Sequence, residues 1–107
     1  MPKYLFIGSY TADGARGLLK DGGTKRRGVA EQVVQSAGGT LESYYFGFGA
    51  DDFYLVADLP DHAAAAAVSL TVGGSGALSS RTVVLMTPED IDAAAQLSVQ
   101  YTAPGEP

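Results

Sequence analysis

The chain has 107 residues, a formal net charge of −5, 46% hydrophobic residues and no cysteine, so it can bury a single core but can form neither disulfides nor thiolate metal sites. Its acidity argues against nucleic acid as a partner, because phosphate binding depends on clustered lysine and arginine, and no apolar stretch approaches the ~20 residues of a membrane helix. The opening apolar run at residues 4–7 is too short for a signal sequence, so we predict a cytoplasmic protein without nucleic-acid or membrane partners, with one domain over 1–101 and a flexible tail over 102–107.

The first third of the chain predicts a strand followed by two helices. Residues 3–10 are rich in aromatic and branched side chains, and neither alternating face is clearly polar, so both faces should be covered. Thr11 can cap a helix that reaches residue 20, and Thr24 can cap a second helix whose apolar residues repeat every three or four positions. Two glycines at residues 38–39 end the second helix.

A β-hairpin is predicted next. Residues 40–46 and 52–59 have the composition of strands, and a glycine-rich turn joins them. The middle of the second of these strands is apolar on both faces. We therefore expect that strand to be buried on both sides.

The last part of the chain predicts a helix, a fourth strand and a final helix. Asp61 can cap a helix over residues 63–72, and residues 77–86 read as a strand. Thr87, followed by a proline and two acids, is the clearest helix start in the chain. The apolar stripe of that final helix consists of Ile91, Ala94, Ala95 and Val99.

This order of elements makes two split β-α-β units with an added C-terminal helix. Right-handed crossovers place the first and third strands at the centre of a four-stranded antiparallel sheet, so we predict a ferredoxin-like βαββαβ sandwich of the α+β class. Helices can cover only one face of such a sheet, although the central strands are apolar on both. The economical cover for the second face is the same face of another copy, which predicts a homodimer or a higher oligomer built from it.

Several short motifs follow one another along nearly the whole chain: residues 4–7 with Thr11, 38–39, 44–45, 56–61, 81–82 and 87–89. In this order and spacing they resemble the GYD-domain family. The resemblance implies the dimeric α/β barrel of the superfamily to which that family belongs. The family's Gly-x-Tyr-Asp signature corresponds to residues 49–52, where Asp51 stands at the tyrosine position, and Asp58 stands where the family usually has glutamate.

Asp52 and His62 are the candidate catalytic residues. The adjacent carboxylates of Asp51 and Asp52 would raise each other's pKa if both left bulk water, although consecutive acids at a turn more often cap amides or face solvent. His62 follows a helix cap, where the helix dipole disfavours a protonated imidazole, so it is either a neutral base or a structural side chain. With no second histidine and no cysteine, we predict no metal and no cofactor.

Aromatic side chains with polar tips are concentrated on the first three strands. They suit a pocket for a small aromatic or enone-like molecule, and they equally suit a core or a dimer seam. Arg81 is the single cation after residue 27 and needs a carboxylate or an anion if it points inward. Its possible carboxylate partners are Asp52, Asp58 and Glu42. The candidate ligand-binding residues are Tyr10, Tyr54, Asp58 and Arg81.

Charge is distributed unevenly, since residues 1–27 hold six lysines and arginines against two acids, whereas residues 28–107 hold one arginine against ten acids. Part of the basic segment could bind an anion, because free amides at a helix start would lie beside three cations. Solvation of a basic helix face is the alternative. The candidate anion-binding residues are Thr24, Lys25, Arg26 and Arg27.

The sequence favours a homo-oligomeric module that binds a small metabolite in the cleft between sheet and helices. A cofactor-free oxygenase or isomerase acting on a small aromatic or enone-like substrate is the first alternative, and it is implied by the wider superfamily, which includes such enzymes. The second alternative is a purely structural assembly module, in which the fourth strand and the tail join dimers.

Overall fold

The computed structural model describes residues 1–107 and confirms the predicted α+β fold. The elements in chain order are β1 (Lys3–Tyr10), α1 (Ala12–Asp21), α2 (Gly23–Ser36), β2 (Thr40–Phe46), β3 (Phe53–Asp58), α3 (His62–Gly73), β4 (Leu78–Leu85) and α4 (Pro88–Ala95). The strands form one antiparallel sheet in the order β2-β3-β1-β4. The two central strands are therefore the first and the third, as predicted.

One face of the sheet, called here the front face, is covered by α2 and α3. Alternate residues of β1 and β3 point to it, which is why Tyr4, Phe6, Phe53 and Leu55 are buried there. The core continues into both helices and the end of β4. Its ten residues are Tyr4, Phe6, Val34, Phe53, Leu55, Ala57, Leu59, Ala65, Val68 and Leu78.

A close approach between β1 and a side chain of β3 shapes the middle of the core. A Cβ atom built on Gly8 would lie closer than 3.0 Å to the ring of Phe53. The absent side chain thus leaves the space that the Phe53 ring occupies. Tyr44 then stacks on the same ring, with centroids 5.8 Å apart and an interplanar angle of 12°.

A β-bulge in β2 decides which of its aromatic residues face the helices. The pairing with β3 shifts between Leu41 and Ser43, so Glu42 is the extra residue. Because a bulge reverses the alternation beyond it, Leu41 and Tyr44 lie on the same face although they are three residues apart. Both pack against the core.

The helix caps agree with the sequence at three of four sites. The side chains of Thr11, Asp61 and Thr87 accept hydrogen bonds from amides in the first turns of α1, α3 and α4. The prediction for Thr24 was wrong, because α2 already begins at Gly23 and Gly22, with φ of 82°, precedes it without any side-chain cap. A glycine adopts this left-handed conformation at no steric cost and lets α1 and α2 follow each other almost directly. None of the helices combines the length and apolar character needed to span a membrane.

The second face of the sheet carries no helix. The residues of β1 that alternate with the front-face residues point to it, and so do their partners across the sheet. They are Leu5 with its partners Val56 and Val83, and Ile7 with its partner Tyr54. Only Ile7 is buried, whereas Tyr54 is 38% exposed and Val83 39% exposed. The middle of β3 was predicted to be buried on both sides. Within one chain it is buried on the front face only.

The segment from Met86 to Tyr101, called here the C-terminal arm, stands clear of the rest of the chain. Every residue of the arm is exposed. Helix α4 ends at Ala95, so Val99 of the predicted stripe lies beyond the helix, and the stripe residues on it, Ile91, Ala94 and Ala95, are not buried. The molecule measures 61 Å in its longest dimension, and its Cα radius of gyration is 17.4 Å, whereas a compact chain of this length has about 13 Å. The packed part of the chain thus ends with β4.

Candidate functional site

An apolar cavity lies between the front face of the sheet and helices α2 and α3, in the cleft where the sequence predicts a ligand. Its volume is about 60 Å³. Twelve of the fifteen residues that line it are hydrophobic. They come from all four strands and from both helices: Phe6, Tyr10, Val29, Ala30, Val33, Val34, Tyr44, Phe53, Leu55, Val68, Val72 and Leu78, with Arg26, Ser69 and Ser80 as the polar members.

Two tyrosine hydroxyls meet at this cavity. The Tyr10 and Tyr44 hydroxyl oxygens are 3.4 Å apart, and both side chains line the cavity. Burial raises the pKa of Tyr44 above the ordinary value, and the hydrogen bond to Tyr10 raises the pKa further, while the positive charge of Arg26 lowers it. The Tyr44 hydroxyl therefore stays protonated at neutral pH and can donate a hydrogen bond into an apolar space.

Helix α2 is a loosely packed wall of the cavity. Of its fourteen residues only Val34 is buried. Glycines with positive φ flank the helix, Gly22 at 82° and Gly38 at 88°. A helix held by few buried side chains and bounded by such glycines can shift as a unit more easily than the strands beneath it.

The two adjacent acids of the predicted catalytic pair have separate structural partners. The Asp52 carboxylate accepts a hydrogen bond from the Tyr10 backbone amide at 2.8 Å. The Asp51 carboxylate lies 3.2 Å from the Arg81 guanidinium and also accepts from the Ser9 hydroxyl. Neither carboxylate lines the cavity. Arg81 has therefore found a carboxylate, although it is not one of the three that the sequence suggested.

His62 pairs with a buried tyrosine outside the cavity. Its Nδ1 lies 2.6 Å from the Tyr4 hydroxyl, and the two rings meet edge to face with centroids 5.7 Å apart. Tyr4 is only 1% exposed, so His62 supplies the hydrogen-bond partner that its hydroxyl needs. The pair lies at an open groove between α3 and β4, which is separate from the cavity.

The remaining candidates are spread over the surface. The Asp58 carboxylate lies 2.9 Å from the Lys3 ammonium group, and Tyr54 is on the second face of the sheet. The Lys25 ammonium group lies 3.3 Å from the Asp21 carboxylate, and Arg27 borders a polar surface groove beside β2. Of the predicted anion-binding residues, only Arg26 reaches the cavity.

The structure thus unites Tyr10 and Arg26, which the sequence assigned to different sites, and adds Tyr44, Ser69 and Ser80. Tyr44 is one of the strand aromatics that the sequence indicated for a pocket, a core or a dimer seam, but it could not be selected as a ligand-binding residue because its orientation depends on the bulge at Glu42. Adjacent residues of a strand point to opposite faces, so only one of Tyr44 and Tyr45 can face the helices, and the bulge decides which. No cluster of three or more histidine, aspartate or glutamate side chains is placed to hold a metal ion.

Comparison with known proteins gives one match. The family model described as the GYD domain matches residues 4–95. No curated protein and no solved structure matches the chain.

Proposed function

The chain belongs to the GYD-domain family, and from that premise we propose that it is a cytoplasmic, homo-oligomeric module that binds a small aromatic molecule between the sheet and α2. The observation that carries the proposal is the apolar cavity with two tyrosine hydroxyls and one guanidinium on its lining. Convergence of a few polar groups in an apolar pocket is the usual composition of a small-molecule site. The polar groups favour a planar ring that bears an oxygen acceptor.

The size of the cavity sets a condition on binding. A volume of about 60 Å³ is well below the ~300 Å³ at which pockets for drug-sized ligands begin. A ring can enter only if the wall moves outward, and α2 is the wall that has a single buried residue. The bound form therefore has α2 displaced from the sheet, with Tyr10 and Tyr44 still on rigid strands.

The geometry supports binding more than acid–base catalysis. Asp52 is engaged by a backbone amide, and His62 by Tyr4, and neither lines the cavity. The raised pKa of Tyr44 makes its hydroxyl a hydrogen-bond donor and not a base at neutral pH. The oxygenase or isomerase alternative thus lacks a candidate base at the cavity.

Pairing of two copies is the second part of the proposal. Leu5, Val56 and Val83 expose apolar surface at the centre of the second face, and an isologous contact between two such faces would cover it. Light scattering at micromolar concentration should give the mass of at least two chains, and Val83→Glu should lower that mass. The mass of one chain for the unmodified protein would contradict the pairing.

A thermal-shift panel of benzoate, salicylate and coumarin tests the ligand. A binder present at 100 times its dissociation constant adds about 2.7 kcal/mol to stability. Ala30→Leu fills the cavity and should abolish the shift, whereas Ala15→Leu, which adds the same atoms at an exposed site of α1, should leave it intact. Equal shifts in both variants would show that the ring binds elsewhere, and no shift with any of the three probes would contradict this ligand class.

A further inference from the structure

The C-terminal arm combines exposed apolar side chains with free acids. Ile91, Leu97, Val99 and Tyr101 are between 54% and 79% exposed. Glu89 and Asp92 are exposed as well and form no ion pair within the chain. An isolated helix of eight residues is marginal in water, so an amphipathic segment of this kind gains stability by packing against another surface.

A surface of opposite charge lies where α1 meets α2, and we call it the basic end. Lys20 and Arg27 are exposed there and form no ion pair within the chain. Leu19 is 87% exposed beside Lys20, and Phe48 is fully exposed in the neighbouring turn between β2 and β3. The basic end therefore offers free cations and uncovered apolar side chains, which are the complements of what the arm presents.

The arm and the basic end lie at opposite ends of the sheet. The arm leaves β4 after Leu85, which is paired with Lys3 at the start of β1. The basic end lies at the other end of the sheet. Gly23, at the start of α2, packs against Phe46 at the end of β2. Phe46 pairs with Phe53, and Phe53 pairs with Gly8 near the end of β1. The arm therefore extends from the end of the sheet that holds Lys3, and it is directed away from the basic end of its own chain.

We propose that the arm of one copy docks on the basic end of a second copy. Both surfaces belong to the same chain, so any solution of the protein contains them at equal concentration. Their charges are complementary, because Glu89 and Asp92 of the arm would lie against Lys20 and Arg27 of the basic end. The inference deepens the proposed function and rests on its homo-oligomeric part. It adds a contact that is separate from the sheet face.

Zero-length crosslinking between copies tests the contact directly. Unlabelled and ¹⁵N-labelled protein are mixed and treated with a carbodiimide, which joins carboxylates to amines that touch. Mass spectrometry should find mixed-isotope peptides that link Glu89 or Asp92 to Lys20 or Lys25. Arm crosslinks found only within one isotope would mean that the arm folds back on its own chain, and an absence of crosslinks between arm and basic end would equally overturn the proposal.

Charge reversal gives a second measurement that does not depend on crosslinking chemistry. The double variant Glu89→Lys with Asp92→Lys should raise the dissociation constant between copies about tenfold at low salt. The double variant Lys20→Glu with Arg27→Glu should raise it by the same factor. All four changes in one chain should restore it, because the charges match again. Glu106→Lys, an acid beyond the arm, is the matched control and should change nothing.

The outcomes separate this inference from the proposed function. If the fourfold variant associates more weakly than either double variant, so that the two losses add, docking of the arm is overturned. If the benzoate, salicylate or coumarin shift and the two-chain mass then persist, the ligand site and the sheet-face pairing stand without it. The mass of one chain for the unmodified protein would remove both contacts between copies.

Discussion

Replacing Gly14 by alanine should destabilise the protein, whereas the same change at Gly17, three residues further along α1, should stabilise it. A Cβ atom on Gly14 would lie closer than 3.0 Å to the carbonyl oxygen of Ala77. That oxygen accepts hydrogen bonds from the Thr11 amide at 3.0 Å and from the Thr11 hydroxyl at 3.1 Å. The carbonyl belongs to the backbone and cannot turn aside, so either α1 or the start of β4 must move.

The magnitude follows from three contributions. Overpacking costs about 1–3 kcal/mol, and weakening the Thr11 hydrogen bonds costs about 1 kcal/mol more. Alanine recovers about 1 kcal/mol of helix propensity relative to glycine. The net loss at Gly14 is therefore about 2 kcal/mol, whereas Gly17, with no atom within 4 Å of its built Cβ, keeps only the propensity gain of about 0.5–1 kcal/mol.

Urea unfolding of both variants beside the unmodified protein measures these changes. With a slope of about 2 kcal/mol per molar urea, the midpoint should fall by about 1 M for Gly14→Ala and rise by a few tenths of a molar for Gly17→Ala. All samples need the same protein concentration, because association adds to apparent stability. A Gly14→Ala midpoint at or above that of the unmodified protein would refute the reasoning, and so would a loss of similar size at both positions.

Two further predictions concern tyrosine hydroxyls. The folded-state pKa of Tyr44 is raised above the ordinary value of 10.0. Its contribution to stability is therefore complete below pH 10 and is lost as the pH rises through the folded value. Tyr44→Phe should flatten the fall of the urea midpoint between pH 9 and 11, whereas Tyr101→Phe should not. His62→Ala should lower the free energy of unfolding by about 1 kcal/mol, because it leaves the Tyr4 hydroxyl without its partner. In a Tyr4→Phe background the same change should cost almost nothing, and a double-mutant cycle by urea unfolding measures the difference.

The parts of the fold that depend on neighbouring residues could be predicted from the sequence. The caps at Thr11, Asp61 and Thr87 each join residues three positions apart, so the local pattern contains the whole interaction. The central positions of β1 and β3 follow from the order of the elements, because right-handed crossovers place the first and third strands at the centre of such a sheet. The location of the cleft then followed from the topology.

The parts that depend on distant residues could not be predicted. Arg81 contacts Asp51 only because the register of the sheet and the turn before β3 bring them together. The bulge at Glu42 is a departure from regular pairing that no residue type announces. The periodicity around Ile91 predicts a helix whose apolar stripe reaches Val99, but α4 ends at Ala95. Periodicity also says which face of a helix is apolar and not what covers it.

The contact of the Phe53 ring with Gly8 means that these two positions share one volume. A relative in which residue 8 has gained a side chain can keep the same strand spacing only if residue 53 has become smaller, because a Cβ atom at residue 8 would occupy the position of the Phe53 ring. Substitutions at the two positions should therefore occur together in the history of the family. A pair of this kind fixes the alignment of β1 against β3 in a distant relative more reliably than either strand's composition does.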